Sequence, residues 1–143
     1  ETDEDVVIPI GKADIKREGS DVTIVSFGKI IKEAYKAADE LAKEDISAEV
    51  IDLRTVRPLD YDAILESVKK TNRLVILEEA WPFGNVSTEI TYKVQEEAFD
   101  YLDAPIIKIN TADTPAPYSP VLLKEWLPSS EDVVKAVKKV MYK

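Results

Sequence analysis

Four short, nearly unbroken apolar runs, each separated from the next by a stretch of helical periodicity, constrain this chain more than any other feature. They are "VTIVSF" (Val22 to Phe27), "AEVIDL" (Ala48 to Leu53), "RLVIL" (Arg73 to Leu77) and "PIIKIN" (Pro105 to Asn110). A strand with one face in water alternates apolar and polar residues; a strand covered on both faces reads as a continuous run. Between the runs, Ile30, Ile31, Ala34, Ala38, Leu41 and Ala42 share one helical face. Ile64, Leu65 and Val68 share another, behind Asp60 as a candidate N-cap and with Leu59 placed to fold onto Ile64. Val86, Ile90, Val94 and Ala98 recur four apart. A last helix is predicted over Glu131 to Tyr142, carrying Val133, Val134, Val137, Val140 and Met141, with Ser129 or Ser130 as its cap. The turn signal "EGSD" before Val22 suggests a hairpin that adds an edge strand near Ala13 to Lys16. The proline-rich "TADTPAPYSP" reads as a loop. Strand–helix alternation of this kind predicts an α/β fold: three α/β/α layers around a mainly parallel sheet of about five strands, with one antiparallel edge strand.

Composition narrows the chemistry. At 143 residues the chain suits a single domain, residues 1–143, with a single core. No apolar run approaches the roughly 18 residues of a membrane span, and no signal-peptide pattern is present. The charged opening "ETDED" reads as a linker. The absence of cysteine excludes disulfides and thiolate chemistry. The absence of histidine removes the commonest general base near pH 7 and the commonest transition-metal ligand. A net charge of −9 argues against nucleic acid and favours a basic partner. Cytoplasm or an organelle matrix is the expected compartment.

In a sheet of this type ligands gather beyond the carboxyl ends of the strands. Four stretches fall there: Phe27 to Lys29, Arg54 to Pro58, Glu78 to Asn85, and Asn110 to Tyr118. None is a dinucleotide fingerprint or a P-loop, since "SFGKII" has one glycine where three are needed. Glu78 and Glu79 are adjacent and should point to opposite faces, so they do not form an acid–base pair; one of them is expected to pair with Arg54, Arg57 or Arg73. No acidic spacing resembles a Mg²⁺ or Ca²⁺ loop. Trp81, Pro82 and Phe83 must be covered, either by this domain's own core or by a partner. In "AFDYLDAP", Phe99 and Tyr101 stand beside Asp100 and Asp103. Periodicity buries Phe99 or Leu102, and the remainder is either an ordinary helix end or a carboxylate-rimmed docking surface.

Four longer motifs carry a resemblance along nearly the whole chain: "IPIGKADIKREGSDVTIVSFG", "AEVIDLRTVRPLD", "SVKKTNRLVILEEAWP" and "EEAFDYLDAPIIKINTADTPAPY". They resemble the C-terminal domain of pyruvate dehydrogenase E1 β subunits, in the transketolase-like thiamine-diphosphate family. The branched-chain 2-oxoacid dehydrogenase β subunit shares "VIDLRT"; "PIGKA" and "TPAPYSPVL" look more like the pyruvate enzyme. The resemblance implies that residues 1–10 link to an N-terminal pyrimidine-binding domain, which lies outside this chain together with the catalytic histidines. Thiamine diphosphate and Mg²⁺ would then be held by that domain and the E1 α subunit. This domain would bind no cofactor or metal, supply no catalytic residue and be inactive alone. Its implied partners are the E1 α subunit, a second E1 β subunit and the peripheral subunit-binding domain of the E2 acetyltransferase. Asp103 matches the family's docking acid in "F/Y-L-D-A-P", and the chain end near Lys143 is the expected second charged contact. Trp81, Phe83, Glu79 and Tyr101 are expected at subunit or domain contacts. Relatives usually carry a G-G-x-G-like turn where this chain has only Gly84 followed by Asn85; Asn85 or Ser87 can cap the next helix, so the turn reads as structural. The implied compartment is a bacterial cytoplasm or a mitochondrial matrix.

Overall fold

In the computed structural model, which describes residues 7–143, the apolar runs form the centre of a five-stranded sheet. The strands are β1 (Asp14–Arg17), β2 (Val22–Ser26), β3 (Ala48–Asp52), β4 (Leu74–Leu77) and β5 (Ile107–Ile109), in the order β1-β3-β2-β4-β5. All neighbours run parallel except β1, which is antiparallel to β3. The helices are α1 (Ile31–Ala42), α2 (Tyr61–Thr71), α3 (Val86–Ala98), α4 (Pro120–Trp126) and α5 (Ser130–Val140). Of the expected linker, residues 1–6 lie outside the described residues, and Val7, Ile8 and Ile10 are exposed. Among the described residues no helix is long and apolar enough to cross a membrane.

In place of the single core expected, period-two alternation on the inner strands supplies two, one on each face of the sheet. On β4, Val75 and Leu77 join α1 and α5 through Ala34, Ala38, Leu41, Val133 and Val137. Leu74 and Ile76 turn the other way, to α2 and α3, with Ile64, Val68, Ile90 and Val94. The sheet is the middle of three layers. From β2 the chain crosses by α1 to β3 on one side, then returns by α2 to β4 on the other. This reversal puts a topological switch point between the carboxyl ends of β2 and β4, where a crevice opens in sheets of this class.

The expected hairpin does not form. Both flanks of β2 are taken, by β3 and β4, so β1 joins the outer edge of β3 instead. Residues 18–21 step across the start of β3, with Ser20 and Asp21 donating to the Ser47 carbonyl at 3.1 and 2.9 Å. Gly19 makes the crossing possible, because a Cβ there would lie 2.2 Å from the Glu49 nitrogen. The proline-rich stretch is a loop as far as Ser119, and helix α4, which the sequence reading did not include, follows it. Ser119 and Pro120 stand at its N-cap and first turn, where the missing proline N–H costs nothing. On α1, Ala37 is buried and Ala42 is exposed, a one-position drift in the predicted face.

Caps follow the sequence closely. The Asp60 carboxylate accepts from Ala63 N, Asn85 Oδ1 from Thr88 N at 2.9 Å, and Ser129 forms a capping box with Asp132. Beneath α2 lies a small polar cluster, in which Thr23 Oγ1 meets Ser67 Oγ at 2.6 Å and Thr71 Oγ1 at 2.7 Å. Glu49, only 1% exposed, pairs there with Lys70 and accepts from Gly19 N at 3.2 Å. Burial alone would raise the Glu49 carboxyl pKa, but the hydrogen bonds from Lys70 and Gly19 outweigh it and hold the group below the usual carboxylate range.

Candidate functional site

The residues singled out from sequence fall at opposite ends of the sheet. Trp81, Phe83 and Glu79 follow β4, at the carboxyl ends of the parallel strands, whereas Tyr101 and Asp103 precede β5, at the amino ends. At about 3.3 Å rise per residue, a four- or five-residue strand keeps the two groups more than a side chain's reach apart.

At the amino end, α2 stops at Asn72, whose φ of +62° is the left-handed conformation that asparagine tolerates. The Asn72 N–H donates to Val68 O at 2.8 Å, its carbonyl accepts from Asp103 N at 2.9 Å, and its side-chain amide donates to Tyr101 O at 2.8 Å. One helix-terminating residue thereby fixes the backbone on both sides of Leu102. Arg73 holds the Asp103 carboxylate through Nη2 at 3.3 Å and donates from Nε to Val140 O at 3.2 Å. From the end of the chain, Tyr142 Oη donates to Asp103 O at 3.2 Å, and Lys143 N donates to Lys138 O at 3.0 Å. Asp103 and the segment ending in Lys143, paired on resemblance alone, are therefore neighbours. The Asp103 side chain remains 55% exposed. Phe99, Tyr101 and Tyr142 are exposed beside it, and Lys69 Nζ sits 5.6 Å from the centre of the Tyr101 ring. Leu102, not Phe99, turns inward. Sequence reasoning missed Asn72, Arg73 and Tyr142 as supports of Asp103, and Lys69 as a neighbour of Tyr101; asparagine directly after a helical pattern was the available signal for the first.

At the carboxyl end, the expected ion pair of Glu78 or Glu79 with an arginine does not form: Arg73 is engaged by Asp103, Arg54 by Asp14, and Arg57 makes no ion pair among the described residues. Glu78 is buried, and its two oxygens accept from Val86 N at 3.2 Å and Ser87 N at 2.8 Å. A carboxylate from the chain itself thus fills the start of α3, where an external anion would otherwise bind. Glu79 points the other way and is exposed, as strand alternation requires. Trp81 is half exposed with its indole N–H on Thr114 O at 2.9 Å, and Trp126 donates to the same carbonyl at 2.9 Å. Phe83 is 90% exposed, with Tyr118, Val121 and Leu122 also open to solvent. The aromatics therefore do not close this domain's own core. Among the described residues, no three acidic side chains converge to hold a metal ion.

The sequence profile described as "Transketolase, C-terminal domain" matches residues 11–133. Over 135 residues the chain is 56% identical to the pyruvate dehydrogenase E1 component subunit beta of Rickettsia felis, covering 94% of this chain and 41% of that protein. It is 52% identical over 141 residues to the mitochondrial pyruvate dehydrogenase E1 component subunit beta-1 of Arabidopsis thaliana, covering 99% and 39%. Among solved structures, a split-gene transketolase described as an inactive beta4 tetramer superposes with a TM-score of 0.83 at 30% identity, over 96% of this chain and 44% of that one. The chain thus spans well under half the length of these relatives.

Proposed function

The chain belongs to the transketolase C-terminal domain family, and from that premise we propose that it is the C-terminal part of a pyruvate dehydrogenase E1 β subunit, serving subunit assembly and the docking of E2. The observation that carries the docking role is the half-exposed Asp103 carboxylate. Arg73 pairs with that carboxylate, Asn72 and Tyr142 fix the Asp103 backbone on either side of it, and Phe99 and Tyr101 are exposed nearby in the chain. A fixed, partly desolvated acid among aromatics suits a basic side chain on a small partner domain, here the peripheral subunit-binding domain of the E2 acetyltransferase. The segment ending at Lys143 supplies the second half of that surface.

The assembly role rests on the other end of the sheet. Trp81, Phe83 and the exposed residues of α4 form an apolar surface, with Glu79 at its margin. We assign it to contact with the remainder of the β subunit and with neighbouring E1 α and β subunits. Tyr101 contributes to packing at the amino end. The related split-gene transketolase is described as a beta4 tetramer, which accords with an assembly role for this chain.

Thiamine diphosphate and Mg²⁺ supply the carbanion chemistry of such an enzyme when bound. The described residues do not fit them: the start of α3 after the Gly84 turn is filled by Glu78, the turn before α1 has Gly28 alone, and no acidic cluster among them is shaped for Mg²⁺. No catalytic step is assigned to this chain, and decarboxylation would require the rest of E1. The compartment would be a bacterial cytoplasm or a mitochondrial matrix.

Calorimetric titration with an E2 subunit-binding domain tests the reading. Binding should weaken about tenfold or more with Asp103→Ala and fall with added salt. A folded sample that does not bind would refute the docking role.

A further inference from the structure

A hollow of about 410 Å³ opens where the topology reverses, between Lys29 after β2 and Glu79 after β4. That volume lies in the roughly 300–1,000 Å³ range of small-molecule sites, and the switch point is where doubly wound sheets receive ligands. Its floor is apolar, formed by Ile30 and by Leu123 and Leu127 at the joint between α4 and α5. Its rim is basic in a chain whose net charge is −9.

Two of the charged groups at this rim are already satisfied. Lys36 pairs with Glu33 at 2.6 Å, and Glu33 also accepts from Ser130 N at 3.2 Å, joining the start of α5 to α1. Lys29, Lys32 and Lys124 remain, and among the described residues none of them has a carboxylate partner. Glu79 is the only unpaired acid on the rim. Three lysines and one glutamate bordering the hollow leave a surplus of about two positive charges beside its apolar residues, an arrangement complementary to a small dianion with an apolar body.

We propose that this hollow is a binding site for a small organic anion carrying two acidic groups on an apolar frame. The proposal is independent of E2 docking, because the hollow and Asp103 lie at opposite ends of the strands. It gives the domain a ligand-responsive element beside the assembly surface, since α4 contributes both Leu123 and Lys124 to the hollow and Val121 and Leu122 to that surface.

The test uses naphthalene-1,5-disulfonate as probe, titrated calorimetrically into the chain at low and high salt. Single-site binding that weakens with salt is expected. The triple variant Lys29→Gln, Lys32→Gln, Lys124→Gln should weaken it about tenfold or more. A control triple, Lys43→Gln, Lys93→Gln, Lys139→Gln, makes the same charge change on other faces and should leave affinity within about twofold. All six side chains can be changed without opening the core, and circular dichroism checks that both variants fold. No binding, or equal losses in the two triples, would overturn the proposal: the lysines would then act only through net charge.

Discussion

Arg73 joins Asp103 to the last turn of α5, with one guanidinium nitrogen 3.3 Å from the carboxylate and Nε on the Val140 carbonyl at 3.2 Å. The two bonds differ in worth. The ion pair is partly exposed on both sides and should contribute under about 1 kcal/mol. Losing the arginine also removes the bond to Val140 O and the packing of its stem. Asp103→Asn should therefore lower stability by less than about 1 kcal/mol, and Arg73→Met by about 1–2 kcal/mol, read from urea unfolding. Equal losses would mean that Asp103 is mainly a structural partner of Arg73, leaving little of its charge for docking.

Asn72 is the second support, and its backbone separates two effects. Asn72→Gly keeps the left-handed conformation but loses the amide bond to Tyr101 O, a cost of about 0.5–1.5 kcal/mol. Asn72→Ala loses the same bond and must also place a Cβ at positive φ, about 1 kcal/mol more. Alanine should accordingly be the more damaging change, although it is the better helix former. Thermal unfolding of the two variants checks the order.

The Glu49–Lys70 pair sets an acid limit. The Glu49 carboxyl is held below its ordinary range in the folded chain, so the unfolded state takes up its proton first as pH falls. The stability it contributes is present above the unfolded carboxylate pKa, near about 4.3, and is lost as pH drops through the lower folded value. Lys70→Met would leave the buried carboxylate with Gly19 N but no cation. It should cost about 2 kcal/mol at pH 7, less than a fully buried pair because Lys70 is half exposed. Urea unfolding at pH 7 and pH 4 should show the penalty shrinking at the lower pH. A penalty independent of pH would mean that lost packing of the lysine stem dominates.

The parts of the fold that could be read from sequence are those in which one residue reports one local fact. The run Arg73 to Leu77 specified a strand buried on both faces, and Asp60, Asn85 and Ser129 each marked a helix start. Strand partnership was not local in this sense. Whether β1 pairs with β2 or β3 depends on which edges remain free after α1 and α2 have crossed, and Gly19 records the answer only through a close approach to Glu49. The candidate site divides the same way. Asp103 and the Trp81–Phe83 loop stood out by residue type. The roles of Arg73 and Tyr142 arise from contacts spanning 30 or more residues, and one of Glu78 and Glu79 read as an arginine partner because nothing in the sequence shows that α3 begins above Glu78.

Trp81 and Trp126 provide the last test, through the single carbonyl of Thr114 that accepts both indole N–H groups. A carbonyl has two lone pairs, so both bonds can form together and either can remain without the other. Thr114 is exposed, and water can replace a lost donor, so Trp81→Phe or Trp126→Phe should each change global stability by less than about 1 kcal/mol. Local order should respond more strongly. Ala112 N donates to Trp126 O at 3.1 Å, which makes its amide a reporter of whether this loop stays docked. Hydrogen exchange at Ala112 should rise a few fold in either single variant and by more than the product of the two in the double. The double variant leaves the carbonyl with neither indole, so the loop is tied to the end of α4 by the Ala112–Trp126 backbone bond without the two side-chain bonds that back it. Purely multiplicative effects would show that the two tryptophans act separately, by packing instead of through their shared acceptor.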